Sequence, residues 1–464
     1  MRFLEKAGLV GLGLAAGVAV SFHMAAVADK DTVATPLPVE ELRAFSEVLG
    51  RIKSDYVEPV TDKKLITEAI NGMLNGLDPH SAYLDAEAFK ELQVGTHGEF
   101  GGLGIEVGME DGIVKVISPI EDTPAFHAGI KTGDLIIKLD DTLVKGLSLN
   151  DAVKRMRGKP GSKIVLTILR KDVPKPLTFT LVRAVIKVQS VKSKLVDPGY
   201  GFVRITQFQD QTSENLATAL ENLVKQNGGP LSGLVLDLRN DPGGLLTGAV
   251  GVSSAFLPKD ALVVYTDGRT NDAKMRLTAN PANYLHGHGQ DDYLKKLPES
   301  IKSVPLVVLV NSGSASASEI VAGALQDHKR AVIMGTQTFG KGSVQTILPL
   351  GNNTAIKLTT ARYFTPGGRS IQAKGIVPDI LVEDPATDGH DNVFRLREAD
   401  LEKHLINNKP SDDKTDGAGK SKLSAPPTNG DTTKFVPTEF GSKSDYQLTQ
   451  ALNLLKGMQI LKGK

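Results

Sequence analysis

Two stretches of this chain carry residues whose types and spacing suit acyl transfer. Residues 311–319 read Asn-Ser-Gly-Ser-Ala-Ser-Ala-Ser-Glu, with serines at 312, 314, 316 and 318. Residues 338–345 read Thr-Phe-Gly-Lys-Gly-Ser-Val-Gln, with Lys341 between two glycines. A serine hydroxyl is a weak nucleophile until a base takes its proton. Histidine is the common base, and the nearest one downstream is His328, twelve residues beyond Ser316. At ~1.5 Å per helical residue that is roughly 18 Å, too far for a hydrogen bond. A G-x-S-x-G elbow is also missing, because Ser314 and Ser318 stand where its glycines would be. A lysine base must be neutral near pH 7 against a reference pKa of about 10.4. Burial among apolar groups favours that neutral form. Lys341 has Phe339 and Val344 close in sequence and no acidic neighbour, and Gln345 can orient an amine without adding charge. Local chemistry leaves the choice among the serines open. Caps and loop filler account for them equally well, and a lone lysine is by itself an ordinary surface residue.

The elements around these stretches must position them. Residues 200–380 alternate between apolar strands and helical patterns, with strands expected at 201–205, 233–238, 305–310 and 331–335. Helices are expected at 213–225, 245–256 and 316–328. Continuous apolar strands joined through helices imply a parallel sheet covered on both faces. Both loops of interest, 239–244 and 311–316, then leave the C-terminal ends of strands, where open α/β sheets bind ligands. Ser316 would open a helix whose first N–H groups lack partners and can hold an oxyanion. Gly243 and Gly244 in Arg239-Asn-Asp-Pro-Gly-Gly244 permit close backbone approach and offer a second donor. A phosphate site is disfavoured, since neither a P-loop nor a G-x-G-x-x-G sequence occurs at these loops.

Elsewhere the chain is modular. Its 464 residues carry a net charge of +1 and no cysteine. These values exclude disulfides and thiol chemistry and give no sign of a nucleic-acid partner. Met1-Arg2 and Lys6, the apolar run 7–22 and Ala26-Val27-Ala28 read as a secretory signal over 1–28 or as an uncleaved membrane anchor. Either places the protein outside the cytoplasm, periplasmic or secreted, with inner-membrane association under the second reading. Residues 37–96 form a helical region, with Leu42, Phe45, Val48, Leu49 and Ile52 on one face. Asn75-Gly-Leu-Asp-Pro-His-Ser81 interrupts it, with His80 read as a turn or capping residue. Residues 97–185 read as a compact β-rich module with a helix over 148–156 capped by Ser148. Residues 385–441 have the composition of a disordered linker, and a C-terminal helix follows over 442–464. His286 and His288 lie in a Gly-rich loop without an acidic cluster and are read as solvated, not as metal ligands.

Taken together, these residues resemble the carboxy-terminal processing proteases of peptidase family S41 over roughly residues 40–385. The carriers are Ser-Ala-Ser316-Ala-Ser-Glu319, Lys341 within Phe-Gly-Lys-Gly, Gln345, Leu238-Arg-Asn-Asp-Pro-Gly-Gly244 and the 75–81 motif. The resemblance implies a multidomain α/β and β fold: a crotonase/Clp-protease-like core over 186–384 with an inserted PDZ domain over 97–185. It implies Ser316 as nucleophile, Lys341 as general base and Gln345 as the lysine's orienting partner. Ala317 with Gly243 or Gly244 would form the oxyanion hole. No metal or cofactor is called for. Gly102-Leu103-Gly104-Ile105 is similar to a PDZ carboxylate-binding loop, where a peptide adds to the sheet edge; Leu103 and Ile105 suit apolar C-termini. Arg157 is a candidate coupler of peptide binding to activation. The partners expected are unfolded or tagged protein substrates, a lipoprotein adaptor, and a second copy through the terminal helices. Two other readings exist. A non-catalytic PDZ adaptor predicts a damaged dyad, and this dyad is intact. An acyl-CoA enzyme explains neither the PDZ module nor the serine–lysine spacing.

Overall fold

The computed structural model describes residues 37–110, 112–120, 122–171, 173–187, 189–285, 291–383, 397–407 and 441–462. The expected leader at 1–28, His286, His288 and most of the expected linker lie outside them. The chain divides into two compact units, residues 1–70 and 71–464. The first contains helix α1 (Val39–Asp55) and the start of α2 (Asp62–Asn75). Glu40 and Glu41 in the first turn and Lys53 in the last complement the dipole of α1. The apolar face expected on α1 forms, and Leu42, Phe45, Val48 and Ile52 all remain exposed.

The second unit begins with β1 (Ala82–Leu84) and α3 (Ala86–His97). Asp85 caps α3 by accepting from the Ala88 N–H, and Gly98 ends it in the left-handed region. Strand β2 (Glu99–Gly102) leads into the β-rich module: β3 (Ile105–Glu110), β4 (Ile113–Pro119), α4 (Pro124–His127), β5 (Leu135–Leu139) and β6 (Thr142–Leu143). It continues with α5 (Leu149–Met156), β7 (Lys163–Leu169) and β8 (Leu177–Val182). Its sheet runs β3-β4-β5-β7-β8 with β6 on β5, which leaves β3 at a free edge. Val114, Val116, Ile136, Leu166 and Ile168 pack beneath Ala152 and Met156 of α5. Ser148 caps that helix as expected, accepting the Asp151 N–H at 3.1 Å. Strand β9 (Ala184–Lys187) returns to pair with β2.

The core follows as β10 (Val191–Asp197), β11 (Tyr200–Ile205), α6 (Thr212–Asn227), β12 (Gly233–Asp237), α7 (Leu246–Ser254), β13 (Leu262–Gly268) and β14 (Arg276–Thr278). Next come α8 (Ser300–Ser303), β15 (Leu306–Val310), α9 (Ala317–Asp327), β16 (Val332–Gly335), β17 (Ser343–Pro349), β18 (Ala355–Phe364), β19 (Ile380–Leu381) and α10 (Tyr446–Lys462). The main sheet is ordered β10-β11-β12-β15-β16-β19. It is parallel from β11 onward, as the strand–helix alternation requires. Alternate residues serve opposite faces. Leu234, Leu236, Leu306 and Val308 pack with the helices α6, α7 and α9. Phe202, Val235, Val307 and Leu309 pack under Leu448, Ala451 and Leu455 of α10.

A second, antiparallel sheet runs β1-β18-β13-β14, with β17 also on β18. Two expectations change here. The 75–81 motif, assigned to the helical region, leads into β1, which pairs with β18 in the core. Residues 397–407 were expected to lack structure, yet they carry a 3₁₀ turn at Glu398–Asp400 whose Glu398 is fully buried.

Candidate active site

The serine loop joins β15 to α9, and its hydroxyls sort by burial. Ser314 and Ser318 are buried and donate to the carbonyls of Leu238 at 2.8 Å and Asp241 at 2.9 Å. Both are therefore tied into the 238–241 backbone. Ser316 is half-buried and lines a cavity of about 720 Å³ together with Lys341, Gln345, Gly243, Gly244 and Ala317. Its backbone has φ 55° and ψ −113°. A non-glycine residue there costs of order 1–3 kcal/mol and persists only where its surroundings hold it. The nearby Ala315 N–H donates to Asp241 O at 3.0 Å, and the Ser316 N–H donates to Glu319 Oε2 at 2.8 Å.

Glu319 does more than cap the helix. It is fully buried and accepts four hydrogen bonds, two on each oxygen. The donors are the Ser316 N–H, the Thr338 hydroxyl at 2.6 Å, and the N–H groups of Gly340 and Lys341 at 2.8 and 3.0 Å. One carboxylate thus fixes both the serine turn and the lysine turn. Burial pushes its carboxyl up to about 7, with the four donors opposing. The spacing Ser316-x-x-Glu319 is a capping-box signature, so a signal for this residue was present in the sequence.

Lys341 sits between β16 and β17 on the cavity wall. Burial lowers the affinity of its amine for a proton, and the Lys357 cation adds to this; Glu398, Glu319 and Asp78 oppose it. Its carbonyl accepts from the hydroxyl of buried Tyr363, a side chain that also faces Ser316. Burial drives the Tyr363 phenol well above its ordinary value, so it stays protonated. Gln345 lies on the same wall, but its amide nitrogen donates to Ser343 Oγ at 2.9 Å and Thr359 Oγ1 at 3.3 Å. Among the described residues it makes no hydrogen bond to Lys341.

The glycine turn after β12 meets the serine loop directly. Asp241 accepts the Gly243 N–H through Oδ1 at 2.8 Å. The chain then threads past Phe208, which donates its N–H to Gly243 O. Among the described residues, the N–H groups of Ala317 and Gly244 have no acceptor. Of the expected oxyanion donors, these two are therefore free while that of Gly243 is engaged. Gly243 matters through its missing side chain. At φ 94° an added Cβ would stand 2.6 Å from Ala315 O, 2.8 Å from Ala317 N and 2.8 Å from Ser316 Cβ. Gly243→Ala is expected to lower kcat by about 10²-fold, the scale of one lost oxyanion donor, with KM little changed. A kcat within twofold of wild type would show that the turn tolerates displacement.

The other expected positions separate by distance along the fold. His328 ends α9, its Nε2 bonds Leu262 O at 2.7 Å, and it is not among the residues lining the cavity shared by Ser316 and Lys341. Gly102–Ile105 forms the loop entering the free edge strand β3. Leu103 is buried in the module's own core and Ile105 is half-buried. Gly104, at φ 75°, passes so close to Thr123 that a Cβ would lie 2.2 Å from the threonine Cβ. Arg157 is exposed, its guanidinium 4.8 Å from the centre of the Phe100 ring. His80 is more than a turn residue: its ring meets buried Glu398 at 2.8 Å. Its place in the 75–81 motif was legible, but its partner, 318 residues away, was not.

Comparison with known proteins places the chain in a family. Peptidase family S41 matches residues 199–382, a PDZ domain residues 101–193, and the activating protease CtpB N-terminal domain residues 18–88. The chain is 46% identical over 422 residues to the carboxy-terminal-processing protease of Bartonella bacilliformis, covering 90% of this chain and 89% of that one. It is 34% identical over 381 residues to carboxy-terminal processing protease CtpB of Bacillus subtilis, covering 80% and 75%. A solved photosystem II D1 C-terminal processing protease is 31% identical, covering 73% of this chain and 86% of its own, with a TM-score of 0.41. The chain belongs to the carboxy-terminal processing proteases, serine-type peptidases of family S41 that carry a PDZ domain.

Proposed function

We propose that the enzyme cleaves peptide bonds through a Ser316–Lys341 dyad and an acyl-enzyme, on substrates whose C-terminal tails are read by the PDZ module. The observation that carries this reading is the sorting of the serines. Ser314 and Ser318 have their hydroxyls committed to buried carbonyls, while Ser316 opens on a cavity shared with a desolvated lysine.

In this mechanism neutral Lys341 takes the Ser316 proton as Oγ attacks the scissile carbonyl. The carbonyl electrons move onto oxygen, which the free N–H groups of Ala317 and Gly244 would receive. Collapse expels the amine, protonated by the Lys341 ammonium. Water then gives a proton to Lys341, attacks the ester and releases the acid, and Ser316 regains its proton. Gln345, pinned through Ser343 and Thr359, shapes the wall beside the lysine. Leu245, Ile320 and Val344 line the same cavity and suit an apolar side chain near the scissile bond. The tail would add to the free edge of β3, its carboxylate taken by the backbone of 102–105. The basic start and apolar run of residues 2–22 support action outside the cytoplasm.

The test joins a covalent trap to a tail comparison. A fluorophosphonate should label the chain on the peptide bearing Ser316. An unfolded reporter ending in apolar residues should be cut at least about tenfold more efficiently than one ending in Asp-Asp, for about 1.4 kcal/mol of tail recognition. Labelling elsewhere refutes the nucleophile, and equal cutting of both reporters refutes tail reading.

A further inference from the structure

A second set of buried polar groups stands behind Lys341, contributed by segments far apart in sequence. From residues 397–407 comes Glu398, whose N–H donates to Phe339 O at 3.1 Å. Its Oε1 accepts from the Gln372 amide at 2.8 Å, and Gln372 Oε1 accepts the Gly342 N–H at 2.9 Å. Glu398 therefore grips both ends of the 339–342 turn. From the 75–81 motif comes His80, whose Nε2 lies 2.8 and 3.1 Å from the two carboxylate oxygens. An ionised carboxylate only accepts, so His80 Nε2 bears the proton of this bond. Asp78 fixes the His80 turn, accepting the His80 N–H at 2.8 Å and the Thr359 hydroxyl at 3.0 Å. Thr359 in turn meets Gln345. Arg397 ties the segment to Gln337 at 2.7 Å.

We propose that Glu398 and His80 are positioning residues for Lys341: a paired clasp through which the 397–407 segment and the 78–81 turn hold the lysine loop and set its charge environment. The inference rests on the dyad reading above. A clasp with no electrostatic part could have been built from neutral groups. This one puts a buried carboxylate behind the loop that carries Lys341, where its charge favours the ammonium of a lysine that has to be neutral to act as a base. Burial works to raise the Glu398 carboxyl, but the His80 ring and the Gln372 amide outweigh it and hold Glu398 below its ordinary value. The charges acting on Lys341 are those of Lys357 on β18, Glu319 on α9, Asp78 on the turn, and Glu398; Tyr363 on β18, which stays neutral, bonds the Lys341 carbonyl. Glu398 stabilises the ammonium; His80, donating to Glu398, blunts that effect.

The two halves of the clasp therefore make opposite predictions, read from the acid limb of kcat/KM, which reports the free enzyme's essential base. Glu398→Gln removes a negative charge and is expected to move the limb to lower pH by at least about half a unit. His80→Gln leaves the carboxylate less compensated and is expected to move it higher by a similar amount. Glu398→Asp keeps the charge and should keep the limb while lowering kcat. Should Glu398→Gln fail to fold, His80→Gln alone decides, since its limb must rise. Limbs that stay in place, or that shift in the same direction in both variants, overturn the proposal and leave a purely structural pair. Failure of the dyad reading is distinguishable: Lys341→Met would then cut the reporter like wild type, whereas failure of the clasp alone leaves Lys341→Met inactive.

Discussion

Lys341→Met is expected to eliminate proteolysis while making the protein more stable at neutral pH. The kinetic half follows from the role of the amine. A positioned general base contributes typically 10²–10⁴-fold, and the Lys341 amine serves attack, leaving-group protonation and deacylation, so a loss of about 10⁴-fold in kcat/KM is expected. Ser316→Ala should lose roughly 10⁶-fold, the scale found when a serine nucleophile is removed. The stability half follows from linkage. Burial lowers the Lys341 pKa below 10.5 in the folded state, so the unfolded chain binds more protons between the folded and unfolded values. Stability then rises with pH across that window and is lost as pH falls through the folded pKa. Methionine fills a similar volume and does not titrate. Its urea midpoint should exceed that of wild type at pH 7, and the gap should narrow as the pH approaches 10.5. A methionine variant that cuts the reporter normally, or that is less stable than wild type at pH 7, would falsify the assignment of a desolvated lysine base.

The sequence carried the parallel core and both functional loops because each is written in local signals. Apolar runs such as 306–310 require two covered faces, and Gly243-Gly244 and Ser316-x-x-Glu319 mark turns by residue type. In the sequence, the family resemblance picked Ser316 among the four serines; the structural reason that sets Ser314 and Ser318 apart was not local. It depended on Leu238 O and Asp241 O, which sit on a different strand–loop unit and take the hydroxyls of Ser314 and Ser318. The antiparallel sheet was missed for the same reason. Strands β17 and β18 are half-exposed, and the pairing of β18 with β1 joins residues more than 270 positions apart. Glu398 was hidden most deeply. It lies in a stretch of linker-like composition, and only its contacts with His80 and Gln372 show why a carboxylate is buried there. Gln345 shows the limit of spacing arguments: the right residue stands on the right wall, with its amide nitrogen engaged by Ser343 and Thr359.

Breaking the ion network beneath α10 is expected to have the largest effect on stability, and Asp445→Ala is the direct test. Arg239 is completely buried, one residue before the Asn240–Gly244 turn. Its guanidinium meets Asp237 at 2.8 and 2.9 Å, Asp445 at 2.7 and 2.9 Å, and Gln447 at 2.9 Å. Burial works to raise the Asp445 carboxyl, but Arg239 and the N–H groups of Gly441 and Leu448 outweigh it and hold it below its ordinary value. Removing one partner of such a group strands a buried charge at a cost of about 3–5 kcal/mol. Asp445→Ala should therefore lower the urea midpoint sharply and reduce kcat as well, because Arg239 leads directly into the turn that supplies Gly244. Arg239→Met combined with Asp445→Ala should cost far less than the sum of the two single changes, since neither charge is then left alone. Acid gives an independent check. A depressed Asp445 pKa contributes stability above the ordinary value of 3.8 that is lost as pH falls through the folded value. Asp445→Asn should lose that part of the acid sensitivity. An unfolding free energy within about 1 kcal/mol of wild type in Asp445→Ala would mean that α10 is held by Leu448, Ala451 and Leu455 alone, and that the buried arginine is satisfied from the core side without it.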